Sequence, residues 1–226
     1  VSSIGVDRSL DNCFVRYSIV TPTLSLCERL DSRRTNQPAR LAYIIDGVER
    51  DNKSSIDHVF RVANGLIAAG IGKGDRVAVL SRNSLECAEV MTGILCSGAS
   101  MVPVPNTATP EAQRNMLLDS AVKGLFVSDQ YRNAALEHFM DIPSIRADLR
   151  FALETACEQF HDHTAWAKTF DTSSPNVHMA PDEEYDILYS SGTTGIPKGI
   201  IHSHLARNLL ISGLEKMEFE GGVVLT

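Results

Sequence analysis

The chain has 226 residues, 43% of them hydrophobic, and its 28 acidic against 21 basic side chains give a net charge of −7 and a pI near 5.5. That content is enough for one large or two small packed domains. The acidic balance, with Lys and Arg scattered rather than striped, argues against a nucleic-acid partner.

Cys13, Cys27, Cys87, Cys96 and Cys157 are odd in number, widely spaced and without a C-x-x-C pair. They read as small buried hydrophobes of a protein in the reducing cytoplasm, not as a disulfide framework or zinc site. No apolar run reaches the roughly 18 residues of a membrane span. The start, "VSSIGVDRSLDN", lacks the basic-then-apolar order of a signal peptide and also an initiator Met, so a processed or cut start is expected.

After a lead-in over 1–23, Ile56, Val59, Phe60, Ala63, Leu66 and Ile67 fall on one helical face. Ser54 and Ser55 are placed to cap that helix and Gly70 to end it. "GIGKGDRVAVLSRNS" then predicts a turn, a buried strand over Val77 to Leu80, and a helix start at Asn83 and Ser84. The same alternation recurs with a strand over Ser100 to Val104, a helix capped by Thr109 with Pro110 in its first turn, and a strand over Leu125 to Ser128. A helix over Asn133 to Phe139 leads into a weakly patterned stretch, Asp141 to Asp182, read as surface excursions with one strand.

Within that stretch "HDH" at 161–163 has the look of a metal pair but no third ligand nearby, so a solvated loop is the better reading. Asp182, Glu183 and Glu184 read as a polar lead-in to a strand over Tyr185 to Tyr189. Trp166 and the leucines of 205–214 read as core. Strand and helix alternate throughout, which predicts an α/β fold with a mostly parallel sheet flanked by helices.

"YSSGTTGIPKG", residues 189–199, is too rich in Gly, Pro and hydroxyls to be helix or strand. A glycine loop leaving a parallel strand offers backbone N–H groups at the carboxyl edge of the sheet, where open α/β sheets bind ligands. Hydroxyls at Ser190, Ser191, Thr193 and Thr194 and the charge of Lys198 suit a nucleoside polyphosphate. An ordinary Ser/Gly-rich surface turn is the alternative. The Walker A pattern G-x-x-x-x-G-K-S/T fails at two of its four fixed positions, Pro197 and Gly199, and "GIIHSH" after Lys198 reads as a strand rather than a helix.

The segment matches at every position the pattern S/T-S/T-G-S/T-T-G-x-P-K-G and so resembles the adenylate-forming superfamily of acyl-CoA synthetases, luciferases and peptide-synthetase adenylation domains. "GIGKGDRVAVLSRNSLE" and "GILCSGASMVPVPNTATPEAQRNMLLDS" extend the resemblance over most of Leu24 to Thr226. It implies attack of a substrate carboxylate on the α-phosphate of ATP, giving an acyl-AMP, and then transfer to coenzyme A. The same resemblance places the Ser190 hydroxyl near Mg²⁺, Ser191, Gly192, Thr193, Thr194 and Gly195 around the β- and γ-phosphates, and Lys198 at the pyrophosphate. His204 would stand at the mouth of the acyl pocket, although a solvated histidine before a helix is as good a reading; His202 is read as structural.

Family members are more than twice this length. The resemblance therefore implies the first part of an N-terminal AMP-binding domain: 24–188 as the α/β region, 189–199 as the phosphate loop and 200–226 as a following strand, helix and strand. A chain ending in the strand-like "VVLT" is expected to be silent alone and to self-associate through an open edge. The competing reading is a non-catalytic nucleotide- or anion-binding fold.

Overall fold

Alternation along three short apolar segments builds the centre of the molecule. A computed structural model describes residues 25–190 and 197–215, with side chains as far as residue 210. At its middle lie β3 (Arg76–Leu80), β4 (Ser100–Pro103) and β5 (Gly124–Val127), parallel to one another, with β3 between the other two. Ala78, Leu80, Leu125 and Val127 face one side, while Val77, Val79 and Phe126 face the other. Both faces are covered, as a parallel sheet requires.

On the first side lie α4 (Pro110–Asp119) and α5 (Asp129–His138), through Met116, Leu117 and Ala135. On the second lie α2 (Asn52–Ala68) and α3 (Leu85–Cys96), through Val62, Leu66, Val90 and Ile94. The sheet continues beyond β5 with β6 (Arg150–Ala152) and β7 (His161–Asp162), and beyond β4 with β8 (Glu184–Ser190) and β9 (Lys198–Ser203). All neighbours are parallel except β8 and β9, which form an antiparallel hairpin. Among the described residues no helix is long and apolar enough to cross a membrane.

The local punctuation acts as its chemistry dictates. The Ser84 side chain accepts from Cys87 N, and Thr109 accepts from Ala112 N with Pro110 in the first turn. Helix α2 closes in a Schellman arrangement: Gly70 at φ +78° and Ile71 donate to the carbonyls of Ile67 and Leu66. Its start differs from the sequence expectation. Asp51, not Ser54 or Ser55, is the cap, its carboxylate accepting from Ser54 N at 2.6 Å, so the helix begins at Asn52 and Ser55 is buried.

The structure departs from the sequence reading in four further places. An unforeseen hairpin joins β1 (Leu41–Ile45) to β2 (Val48–Asp51) through Asp46 and Gly47, both at positive φ, as a two-residue primed turn demands. The stretch 141–182 is not a surface excursion: it supplies β6, β7 and α6 (His163–Ala167), with Phe151, Phe160 and Ala167 fully buried. His163 is buried as well, its Nδ1 3.1 Å from the Ala152 carbonyl oxygen, and burial drives the neighbouring His58 down to about 4. Trp166 does join the core, over Gly65 of α2 and against Phe151. Helix α7 (His204–Glu215), in contrast, leaves Leu209 and Leu210 more than half exposed. Four of the five cysteines are described; Cys27 and Cys96 are buried, Cys87 and Cys157 only partly.

Helices α2 and α3 approach so closely that a Cβ on Gly93 would stand 2.7 Å from Val62 Cγ1 and 3.1 Å from the Val59 carbonyl oxygen. The backbone atom cannot swing away. Gly93→Ala is therefore expected to lower the unfolding free energy by about 1–3 kcal/mol despite alanine's better helix propensity, read by denaturant titration. An unchanged midpoint would show the contact to be soft.

Glu89 of α3 is 1% exposed, and its Oε1, which has no hydrogen-bond partner among the described residues, lies 3.5 Å from Arg50 Nη1. Burial outweighs that distant arginine and raises the carboxyl to about 7. The folded state thus holds a proton that the unfolded state releases near 4.5. The contribution to stability is fully present below that pH and is lost as pH rises through about 7. Glu89→Gln should flatten this decline between pH 5 and about 7, measured by melting at each pH; a parallel decline in the variant would assign it to another group.

Candidate functional site

Strands β3, β4, β5 and β8 run in one direction, so the loops that leave them open on the same carboxyl edge. The chain passes from β3 to β4 on one side and then to β5 on the other, the reversal that opens a crevice at that edge in α/β sheets. The loop after β8 leaves from this edge next to β4.

Tyr189 and Ser190 are the last residues of β8, and Lys198 and Gly199 the first of β9. The hairpin loop is therefore narrower than the 189–199 read from sequence. Ser190 and Lys198 are register partners at the open end, both exposed. Opposed residues share a face, with Cβ atoms about 5 Å apart. A hydroxyl and an ammonium thus start from the same point on one face of the sheet's rim. Lys198 makes no ion pair with any other described residue. Ser191, Gly192, Thr193, Thr194 and Gly195 lie outside the described residues, as does the "VVLT" end.

The roots of the hairpin are held by buried and half-buried contacts. Glu184, expected only as a polar lead-in, takes a bidentate pair from Arg76 of β3, Nε to Oε1 and Nη2 to Oε2 both at 2.8 Å. That pair holds the Glu184 carboxyl below its ordinary range. The Tyr189 hydroxyl reaches Asp119 Oδ2 at 2.7 Å and the Met116 carbonyl oxygen at 3.1 Å, both at the end of α4. Its ring covers Gly199, the partner across the hairpin.

His204 stands elsewhere. Because β9 runs antiparallel to β8, it carries the chain from Lys198 back to Ser203, opposite Glu184. Six residue steps from Lys198 place His204 about 20 Å from the Ser190 and Lys198 pair, at the amino edge of the sheet. There its backbone N–H donates to the Glu183 carbonyl oxygen at 3.0 Å and its ring meets Tyr185 edge-on at 5.0 Å. Burial holds the imidazole below its usual pKa. The structure keeps His204 apart from the Ser190 and Lys198 pair; the resemblance placed it at the mouth of an acyl pocket, not among the phosphate groups. His202, read as structural, lies with Nδ1 2.7 Å from the buried Asp186 Oδ1.

The pair at the rim fits a polyphosphate, since both groups can donate and neither is engaged by a described carboxylate. For Mg²⁺ the fit is partial: among the described residues no three carboxylate, imidazole or thiol groups cluster, so an ion there would have the Ser190 hydroxyl and otherwise phosphate and water oxygens. A second basic place exists. A cleft of about 330 Å³ lined by Arg33, Arg40, Tyr43, Asn52 and Thr92 lies between α1 (Leu26–Asn36), β1 and α2, and includes no residue of β8 or β9.

A Cβ on Gly199 would sit 3.1 Å from Ile187 Cγ2 and 3.3 Å from the Tyr189 ring, which its hydroxyl contacts fix in place. Gly199→Ala should destabilise the chain by about 1 kcal/mol or more, and less in a Tyr189→Leu background, where only the Ile187 contact remains. Additive effects of the two changes on the melting midpoint would contradict this account of the motif's last glycine.

The model of the AMP-binding enzyme family matches residues 31–224. The fatty acid–acyl-carrier-protein ligase ScoC of Streptomyces coeruleorubidus is 33% identical over 145 residues, 64% of this chain and 26% of its own length. The acetyl-coenzyme A synthetase of Pseudoalteromonas translucida is 30% identical over 199 residues, 77% of this chain and 30% of its own length. A fatty acyl CoA synthetase of Mycobacterium tuberculosis superposes with a TM-score of 0.65 at 26% identity, over 79% of this chain and 34% of that one. The chain thus spans roughly a quarter to a third of the length of these relatives, and it belongs to the AMP-binding enzyme family.

Proposed function

We propose that this chain carries the triphosphate-binding hairpin of an ATP-dependent ligase that activates a carboxylic acid as its acyl-AMP and passes it to coenzyme A as a thioester. The observation that supports it best is the pairing of Ser190 with Lys198, exposed and opposed at the carboxyl edge of a parallel sheet, on either side of a Ser, Thr and Gly loop. ATP, when bound, supplies the adenylyl group that activates the acid. The chain's part is positioning and charge neutralisation. Lys198 offsets charge on the β- and γ-phosphates and steadies the pyrophosphate as it leaves. Ser190 donates to a phosphate oxygen or ligates Mg²⁺, and Ser191 to Gly195 supply hydroxyl and backbone donors around the phosphates.

A carrier protein in place of coenzyme A is the second reading, favoured by the likeness to an acyl-carrier-protein ligase. The residues of the hairpin serve both, because the acceptor enters after the phosphates have done their work. With His204 at the amino edge, nothing in the hairpin argues for one acceptor over the other. The acid stays open for the same reason.

The test is ATP–pyrophosphate exchange in the protein that carries this hairpin over the full length of its relatives. Lys198→Ala, or alanine at Ser190, Thr193 and Thr194 together, removes charge-assisted bonds of about 1.5–3 kcal/mol each, so exchange should fall by about a hundredfold or more in the triple variant. Exchange at the parent rate in the triple variant would refute the assignment. The 226 residues alone are expected to show no turnover.

We infer also that this chain alone pairs with a second copy. Strand β9 is the last of the sheet among the described residues, and its Ile200 and Ile201 are 48% and 58% exposed. An apolar open edge templates strand pairing. Sedimentation should show a dimer that Ile201→Lys converts to monomer; a parent that stays monomeric as its concentration rises would overturn this.

A further inference from the structure

The geometry points to Asp186 as a positioning residue that fixes the register of β9 on β8, and with it the meeting of Ser190 and Lys198; this rests on the phosphate reading of that pair. Register in a sheet is ordinarily set by burial, because a slip of one residue turns every side chain to the opposite face. Strand β9 lacks that safeguard. Its successive Ile200 and Ile201 are both about half exposed, so apolar burial does not tell the observed register from its neighbour.

A buried polar contact does tell them apart. Asp186 is 1% exposed in the middle of β8, directly opposite His202. It holds His202 Nδ1 at 2.7 Å on one carboxylate oxygen and Arg207 Nη2 at 2.5 Å on the other. Arg207 belongs to the first turn of α7, whose Leu209 and Leu210 are more than half exposed. The guanidinium also lies 6.0 Å over the ring of Tyr185, which sits at the irregularity between Glu184 and Asp186.

A slip that set Leu188 against Ile201 would put Asp186 against Ser203 and leave the buried carboxylate without its imidazole. The same slip would push Ile200 against the Tyr189 ring where only Gly199 fits. It would also carry Lys198 to the face away from Ser190. Asp186 therefore governs a site four residues further along its strand, without touching it.

Disulfide trapping reads the register directly. The pair Leu188→Cys with Ile200→Cys reports the observed register, and Leu188→Cys with Ile201→Cys reports the slipped one. In the parent only the first should close on mild oxidation. In His202→Leu, and in the charge-neutral Asp186→Leu with Arg207→Leu, the first product should fall and the second appear. The double change leaves no lone buried charge, so the remaining sheet stays folded, checked by its melting transition. Closure of the first pair alone in both variants would overturn the proposal. The trap does not involve phosphate, so it stands or falls apart from the ATP–pyrophosphate result.

Discussion

The hairpin of β8 and β9 must leave the sheet in one register only, since every group offered to a phosphate depends on which residue Lys198 faces. Two contacts between the strands impose that, and a third holds β8 itself on the sheet. Arg76 grips Glu184 with two bonds at the hairpin's base, Asp186 takes His202 and Arg207 at its middle, and the Tyr189 ring lies on Gly199 just below its mouth. Charge, buried hydrogen bonding and steric fit thus act in sequence along one strand. The rigidity comes from α4, packed on one face of the sheet, and from β3, buried on both of its faces at the sheet's centre.

This arrangement separates the work of residues that stand side by side in the motif. Tyr189 and Gly199 shape the root, while Ser190 and Lys198 point outward from it. A change at Gly199 and a change at Lys198 should therefore differ in kind, the first felt as stability and the second as phosphate affinity. The buried Glu89 lies under the other hairpin, of β1 and β2, where Arg50 approaches without neutralising its burial. Its proton links fold stability to pH in a part of the molecule remote from the loop.

The α/β alternation, the parallel sheet and most helix ends were legible because they rest on local chemistry: Ser84, Thr109 with Pro110, and Gly70 each act within one turn of their own position. The hairpin at Asp46 and Gly47 carried its turn signal, but exposed Leu41, Ile44 and Val48 hide the strand pattern on either side. Strands β6 and β7 have three and two residues, too few for any period to show. The offset of His204 from Lys198 along the sequence carried no distance, because the antiparallel return of β9 takes the chain to the far edge of the sheet. Asp186 gave no sign at all, since a buried aspartate in an apolar strand acquires meaning only from His202 and Arg207, 16 and 21 residues on.

Titration of the isotope-labelled chain with millimolar inorganic tripolyphosphate, followed by amide chemical shifts, tests the central claim most directly, since it needs neither turnover nor the rest of a relative's length. The account predicts shifts confined to Ser190 through Gly199 and reduced by Lys198→Ala. Shifts centred on Arg33 and Arg40 in the cleft beside α1, with the hairpin still, would contradict it.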